Sequence, residues 1–271
     1  MARRRTWLAA AGAALIVACV APGIAGLARR YVAAESAQFV VFAMAAPALI
    51  VLGAPWRLLR LSRTGDGEPA QAGAEQDGRA GAGPLDRLAA ARRTKTAFWR
   101  AGAFLLVFMG AGLAWRLPPV MDALARHPLL LAAELVTLLA AGTALWLELA
   151  SSPPLAPRLP NPHRAAIAAL AMWSAWAVAY ALGLSNHAVF HAYDRAGSAV
   201  SAVADQQLTV ALVWAVSAFC FVPVVFVALL AWLKDNDDPD AELQRLARDE
   251  RQHPVVRGWG RPVRAGRTRR P

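Results

Sequence analysis

Charge, sulfur and imidazole are all scarce in this chain. Only 17% of its 271 residues are charged, two are cysteine and five are histidine. The two thiols, Cys19 and Cys220, cannot build a disulfide framework. Both fall in apolar runs, where packing as small apolar residues is the expected role. There is no Gly-rich phosphate loop, nucleophile elbow, paired-cysteine metal motif or haem-attaching C-x-x-C-H. Nothing supports catalysis, and a non-enzymatic protein is expected. A helix or strand period in the apolar residues is also missing, although a soluble domain of this length would show one. They come in blocks instead.

Hydrophobic residues make up 57% of the chain. They concentrate near 7–27, 38–58, 97–115, 129–149, 165–184 and 207–233. A block of about 20 residues at a rise of 1.5 Å spans the roughly 30 Å core of a bilayer. The expected fold is therefore an all-α, polytopic bundle of six transmembrane helices over 1–233. Residues 62–96 are rich in Gly, Ala and acidic side chains and read as a disordered cytoplasmic loop. Residues 234–271 read as a largely disordered, basic cytoplasmic tail.

The formal net charge is +11, and its distribution predicts orientation. With six spans, 24 of the 29 Lys and Arg residues fall on the side that carries both termini. The opposite side has only Arg29, Arg30, Arg116, Arg126 and Arg195. Both termini are thus expected in the cytoplasm. The excess charge reports topology and contact with anionic headgroups, not nucleic acid, because the tail arginines are scattered among Pro and Gly. The start, MARRR to IVAC, resembles a lipoprotein signal ending at Cys19. The apolar run continues through VAPGIAGL to spanning length, which favours a retained first span.

Ionisable groups within a bilayer mark functional candidates. Glu35 and Gln38 stand a turn apart at the start of the second span, and Glu134 lies in the fourth. Asp205, Gln206 and Gln207 open the sixth, so all these groups share one depth near the extracytoplasmic surface. Asp205 at a helix start reads as an N-cap. Glu148, near the cytoplasmic end of the fourth span, is expected to reach water. His187 and His191 in SNHAVFHAYD are four apart, and a helix would present both on one face. A solvated pair is the plainer reading. His127, His163 and His253 are isolated.

Three ordered stretches carry a resemblance. ADQQLTVALVW (204–214) resembles the ADQQ-x-x-G-x-x-M-W signature of the polytopic CtaG family of bacterial cytochrome c oxidase assembly proteins. APALIVLGAPWRLL (46–59) is similar to that family's APPLL-x-LGAP-x-x-LL. WRLPPVMDALARHP (115–128) is similar to W-H-x-P-x-x-Y-D-x-A-x-x-H-P. The likeness covers about residues 10–233. It implies a multi-pass protein of the bacterial cytoplasmic membrane that contacts lipid and oxidase subunits and assists oxidase assembly, with copper handled at the outer face.

Gln38, Trp115, Pro118, Asp122, His127, Pro128, Glu134, Asp205, Gln206, Gln207 and Trp214 match the family pattern. Five of its histidine positions do not: they read Glu35, Phe39, Arg116, Leu131 and Leu135. Imidazole suits copper, whereas carboxylates hold cuprous copper poorly. A divergent paralogue with weakened or lost copper binding is expected. Glu35, Glu134, His187 and His191 are the remaining ligand candidates. Two alternatives stay open: a small-solute or metal-ion transporter that uses the outer polar groups as its entrance, and a membrane scaffold that binds no ligand.

Overall fold

The computed structural model describes residues 2–57, 92, 97–153, 155, 157–194 and 200–236. The chain divides into a compact unit, Met1–Leu230, and a second, Ala231–Pro271, described only as far as residue 236. The loop expected at 62–96 (Arg92 apart) and the tail beyond 236 lie outside the described residues.

The described residues are helical, with a lone bridge between Ser152 and Leu155 and no strand. Among the described residues five helical stretches are long and apolar enough to cross a membrane, and a bent pair makes a sixth if it is taken as one broken span. The pair is α1 (Ala2–Val20) and α2 (Pro22–Ala28), which meet at 64°. Pro22 explains the break. It cannot donate into the α1 ladder but fits the first turn of α2, where its missing N–H costs nothing.

The second span, Val32–Gly53, is α3 (Val32–Val40), a π turn (Val41–Ala45) and α4 (Ala46–Gly53). Pro47 has no N–H for the Ala43 carbonyl, and the π turn absorbs the misfit. The freed carbonyl lies against Gly142 of the fourth span. Any Cβ there would run into it and would also sit 2.9 Å from Pro47 Cγ. Gly142 is therefore required by the close approach of two backbones. Gly53 does the same against the first span, where a Cβ would lie 2.7 Å from that of Ala9.

The remaining spans are α5 (Ala97–Trp115), α7 (Pro128–Leu149), α8 (Asn161–Gly183) and α9 (Ala202–Asn236). A short α6 (Pro118–Leu124) joins the third span to the fourth. The core gathers on α7, where buried Trp146 stacks on Phe221 of α9 with ring centroids 5.4 Å apart. Large apolar side chains such as Trp99, Phe219 and Phe226 stay exposed, as contact with hydrocarbon requires.

Hydrogen bonds define two polar ends. At one, Glu148 accepts from Arg92 Nη2 (2.7 Å) and from Arg100 Nε (2.8 Å). Glu148 does not reach water as expected: it is fully buried between the two guanidinium groups. At the same end the Ser152 hydroxyl donates to the Val51 carbonyl, and Trp56 Nε1 donates to the Pro153 carbonyl at 2.9 Å. The other end holds Arg116 and most of the candidate residues.

Candidate functional site

The Arg116 end is built from helix starts and connections. Tyr31 precedes α3 and offers no side-chain cap, so the first amides of the second span need an acceptor from elsewhere. Asp205 supplies it from α9. Its carboxylate accepts from Val32 N at 2.6 Å and from Ala33 N at 3.0 Å. Asp205 is thus a cap, but for another helix. The start of its own helix is served by Ser201, whose hydroxyl accepts from Ala204 N at 3.3 Å.

The amides beside it hold backbone as well. Gln206, 1% exposed, accepts from Val189 N at 3.0 Å and donates to the Leu182 carbonyl at 2.9 Å. Gln207 donates to the Gly183 carbonyl at 3.3 Å. Asp122 on α6 accepts from Ala192 N at 2.8 Å. Together these bonds fix the 183–193 connection to α6 and α9. Gln38 points elsewhere and donates to the Cys19 carbonyl of α1 at 2.6 Å. No side-chain hydrogen bond joins Gln38, Glu134 and the Asp205 group among the described residues, although all lie at one end.

The charged centre is a separate group. Arg116 Nη1 donates to Glu35 Oε2 at 2.5 Å and to Ser36 Oγ at 2.9 Å. Its guanidinium carbon lies 4.0 Å from the centre of the Phe39 ring, a cation–π contact. The side chains of this ion pair are 3% and 1% exposed. Glu134 is fully buried within electrostatic reach of Glu35 and Arg116, and neither of its oxygens meets a donor at hydrogen-bonding geometry. Tyr193, in the connection above, is also buried. Burial pushes its phenol well above the ordinary value, and the carboxylates of Glu35 and Glu134 push in the same direction.

Arg116 is therefore in direct contact with both Glu35 and Phe39. Leu131 and Leu135 are buried in the apolar core of the bundle, as are Phe39 and Met121. The residues present do not fit a copper ion. A guanidinium occupies the centre, takes up a Glu35 oxygen and packs on the Phe39 ring, which offers no metal ligand. His187 and His191 are exposed in the 183–193 connection, His187 in a loop and His191 in a 3₁₀ turn, so no single helix presents them. Among the described residues, no three His, Cys, Asp or Glu side chains are grouped to hold a metal.

The other candidates have structural places. Trp115 Nε1 donates to Thr137 Oγ1 at 2.9 Å and ties the third span to the fourth. Trp214 stacks on Trp176 at 5.3 Å between the fifth and sixth. His127 precedes α7 and makes no side-chain cap. Sequence reasoning gave no role to Ser201 or Ser36. The S-x-x-A start of α9 marks the first, but nothing local marks the second.

Such a fold and site define a polytopic helical membrane protein whose polar end is cross-braced by side-chain-to-backbone bonds around a buried ion pair. The chain belongs to the cytochrome c oxidase caa3 assembly factor family (Caa3_CtaG), whose model matches residues 1–235. No curated protein and no solved structure matches it.

Proposed function

We propose that this protein assists cytochrome c oxidase assembly from the bacterial cytoplasmic membrane as a scaffold. It performs no catalysis and holds no copper at the Arg116 end. That end faces the extracytoplasmic side and both termini face the cytoplasm, in keeping with the 24-to-5 division of Lys and Arg. Its partners are membrane lipid and oxidase subunits.

One observation carries the reading: the buried Arg116–Glu35 pair beneath Phe39, at the positions where the family pattern carries histidine. The guanidinium there engages Glu35 Oε2, an oxygen a metal ion would need, while the bonds of Asp205, Gln206 and Asp122 keep the surrounding connection in shape. Transport has less support. Thr137, Ser174 and Ser217, three of the polar groups within the spans, each donate to a carbonyl of their own helix. A cavity of about 390 Å³ beside Arg116 is lined mainly by apolar side chains such as Met44, Phe108 and Val178.

Deleting the gene should lower assembled oxidase, read from haem a absorbance and oxidase activity in membranes, without lowering the oxidase transcript. Re-expression of the wild-type chain should restore both. Unchanged spectra and activity in the deletion strain contradict the assignment.

A further inference from the structure

We propose that the bundle carries a specific site for one anionic phospholipid at its Glu148 end, between the first, second, fourth, fifth and sixth spans. A cavity of about 700 Å³ opens there, within the size range of ligand pockets. Its walls are mostly hydrocarbon, among them Leu49, Phe219 and Val224, but Arg5 and Arg164 also line it. No acidic residue does.

The polar atoms specify the occupant. Among the described residues, neither arginine has a carboxylate partner. Arg5 Nη1 is buried without an acceptor. Arg164 is oriented by the Leu149 carbonyl, which accepts from Nε at 3.1 Å and from Nη2 at 2.6 Å, and that contact leaves its charge uncompensated. Trp146, 1% exposed, also lines the cavity, and its indole N–H lacks an acceptor. Trp146 is three residues before Leu149 on the same helix, or about 4.5 Å deeper along its axis.

Two positive charges on one cavity, an indole donor about a turn from the Leu149 carbonyl and apolar walls match an anionic phospholipid. The phosphate sits between the guanidinium groups, an ester carbonyl meets the Trp146 N–H, and an acyl chain lies along the cavity wall. A free anion would leave the apolar walls and the indole unused. A zwitterionic lipid would bring its own cation to two arginines. The site stands apart from the Arg116 end and does not depend on the oxidase assignment.

The test uses the full chain purified in detergent, with phosphatidylglycerol and phosphatidylcholine titrated separately and bound lipid read by native mass spectrometry. One phosphatidylglycerol should be retained, with a preference over phosphatidylcholine on the order of tenfold or more, since each basic residue near a headgroup contributes several-fold. Arg5→Gln should lower that preference several-fold, and Arg5→Gln with Arg164→Gln should abolish it. Arg164 also braces Leu149, so the single Arg5→Gln variant decides the matter if the double variant fails to fold. Ala45→Leu, which fills the cavity and leaves both arginines, should weaken retention of either lipid. Equal retention of the two lipids overturns the proposal. So does thermal stabilisation by millimolar inorganic phosphate equal to that by phosphatidylglycerol, because it would mark a plain anion site.

Discussion

Asp205→Ala is expected to be among the most damaging single substitutions in the bundle, through stability alone. The carboxylate satisfies two amides at the start of the second span, 173 and 172 residues away in sequence. The Val32 contact is buried, and each amide left without a partner there costs about 1–3 kcal/mol. The expected total is about 2–5 kcal/mol, read as a lower temperature at which detergent-solubilised protein loses its monodisperse peak. Asp205→Asn keeps an acceptor and should lose less. Ser201→Ala removes one 3.3 Å cap on its own helix and should cost at most about 1 kcal/mol. An Asp205→Ala protein with unchanged thermal stability contradicts the bracing role.

Arg116→Leu carries the second large effect. It leaves Glu35 and Glu134 buried together with no cation, and breaking a buried pair in this way costs about 3–5 kcal/mol. A buried pair replaced as a unit by apolar side chains is often tolerated. Arg116→Leu with Glu35→Leu should therefore be more stable than Arg116→Leu alone, and adding Glu134→Gln should recover more. A double-mutant cycle in the same thermal assay reads the coupling. Additive losses from the Glu35 and Arg116 substitutions contradict a coupled pair.

The membrane class, the six spans and the family were legible in composition and in ordered motifs. What failed was the meaning of polar residues near span ends. The apolar blocks near 38–58 and 207–233 extend toward the outer end as helices that begin at Val32 and Ala202. Glu35, Gln38, Asp205 and Gln206 looked like the edge of the bilayer because charge normally marks water. They are buried instead, their polar atoms served largely by other segments of the chain. Glu148 misled for the same reason, since Arg92 lies 56 residues away in the sequence.

Asp205 shows the limit most clearly. That the second span lacks a cap of its own can be read from Arg29-Arg30-Tyr31, none of which is a capping residue. That the cap comes from the sixth span cannot be read without the fold. The departures from the resemblance at Glu35, Phe39 and Arg116 were visible one by one. Their joint meaning, a guanidinium held between Glu35 and Phe39, needed two segments brought together.

Metal analysis of the purified protein tests the central claim, that an ion pair fills the place of a metal centre. After exposure to cuprous copper and desalting, the wild-type chain should retain well under one copper per molecule. His187→Ala with His191→Ala should leave that value unchanged. Copper near one per chain that falls when those histidines, Glu35 or Glu134 are replaced would contradict the account.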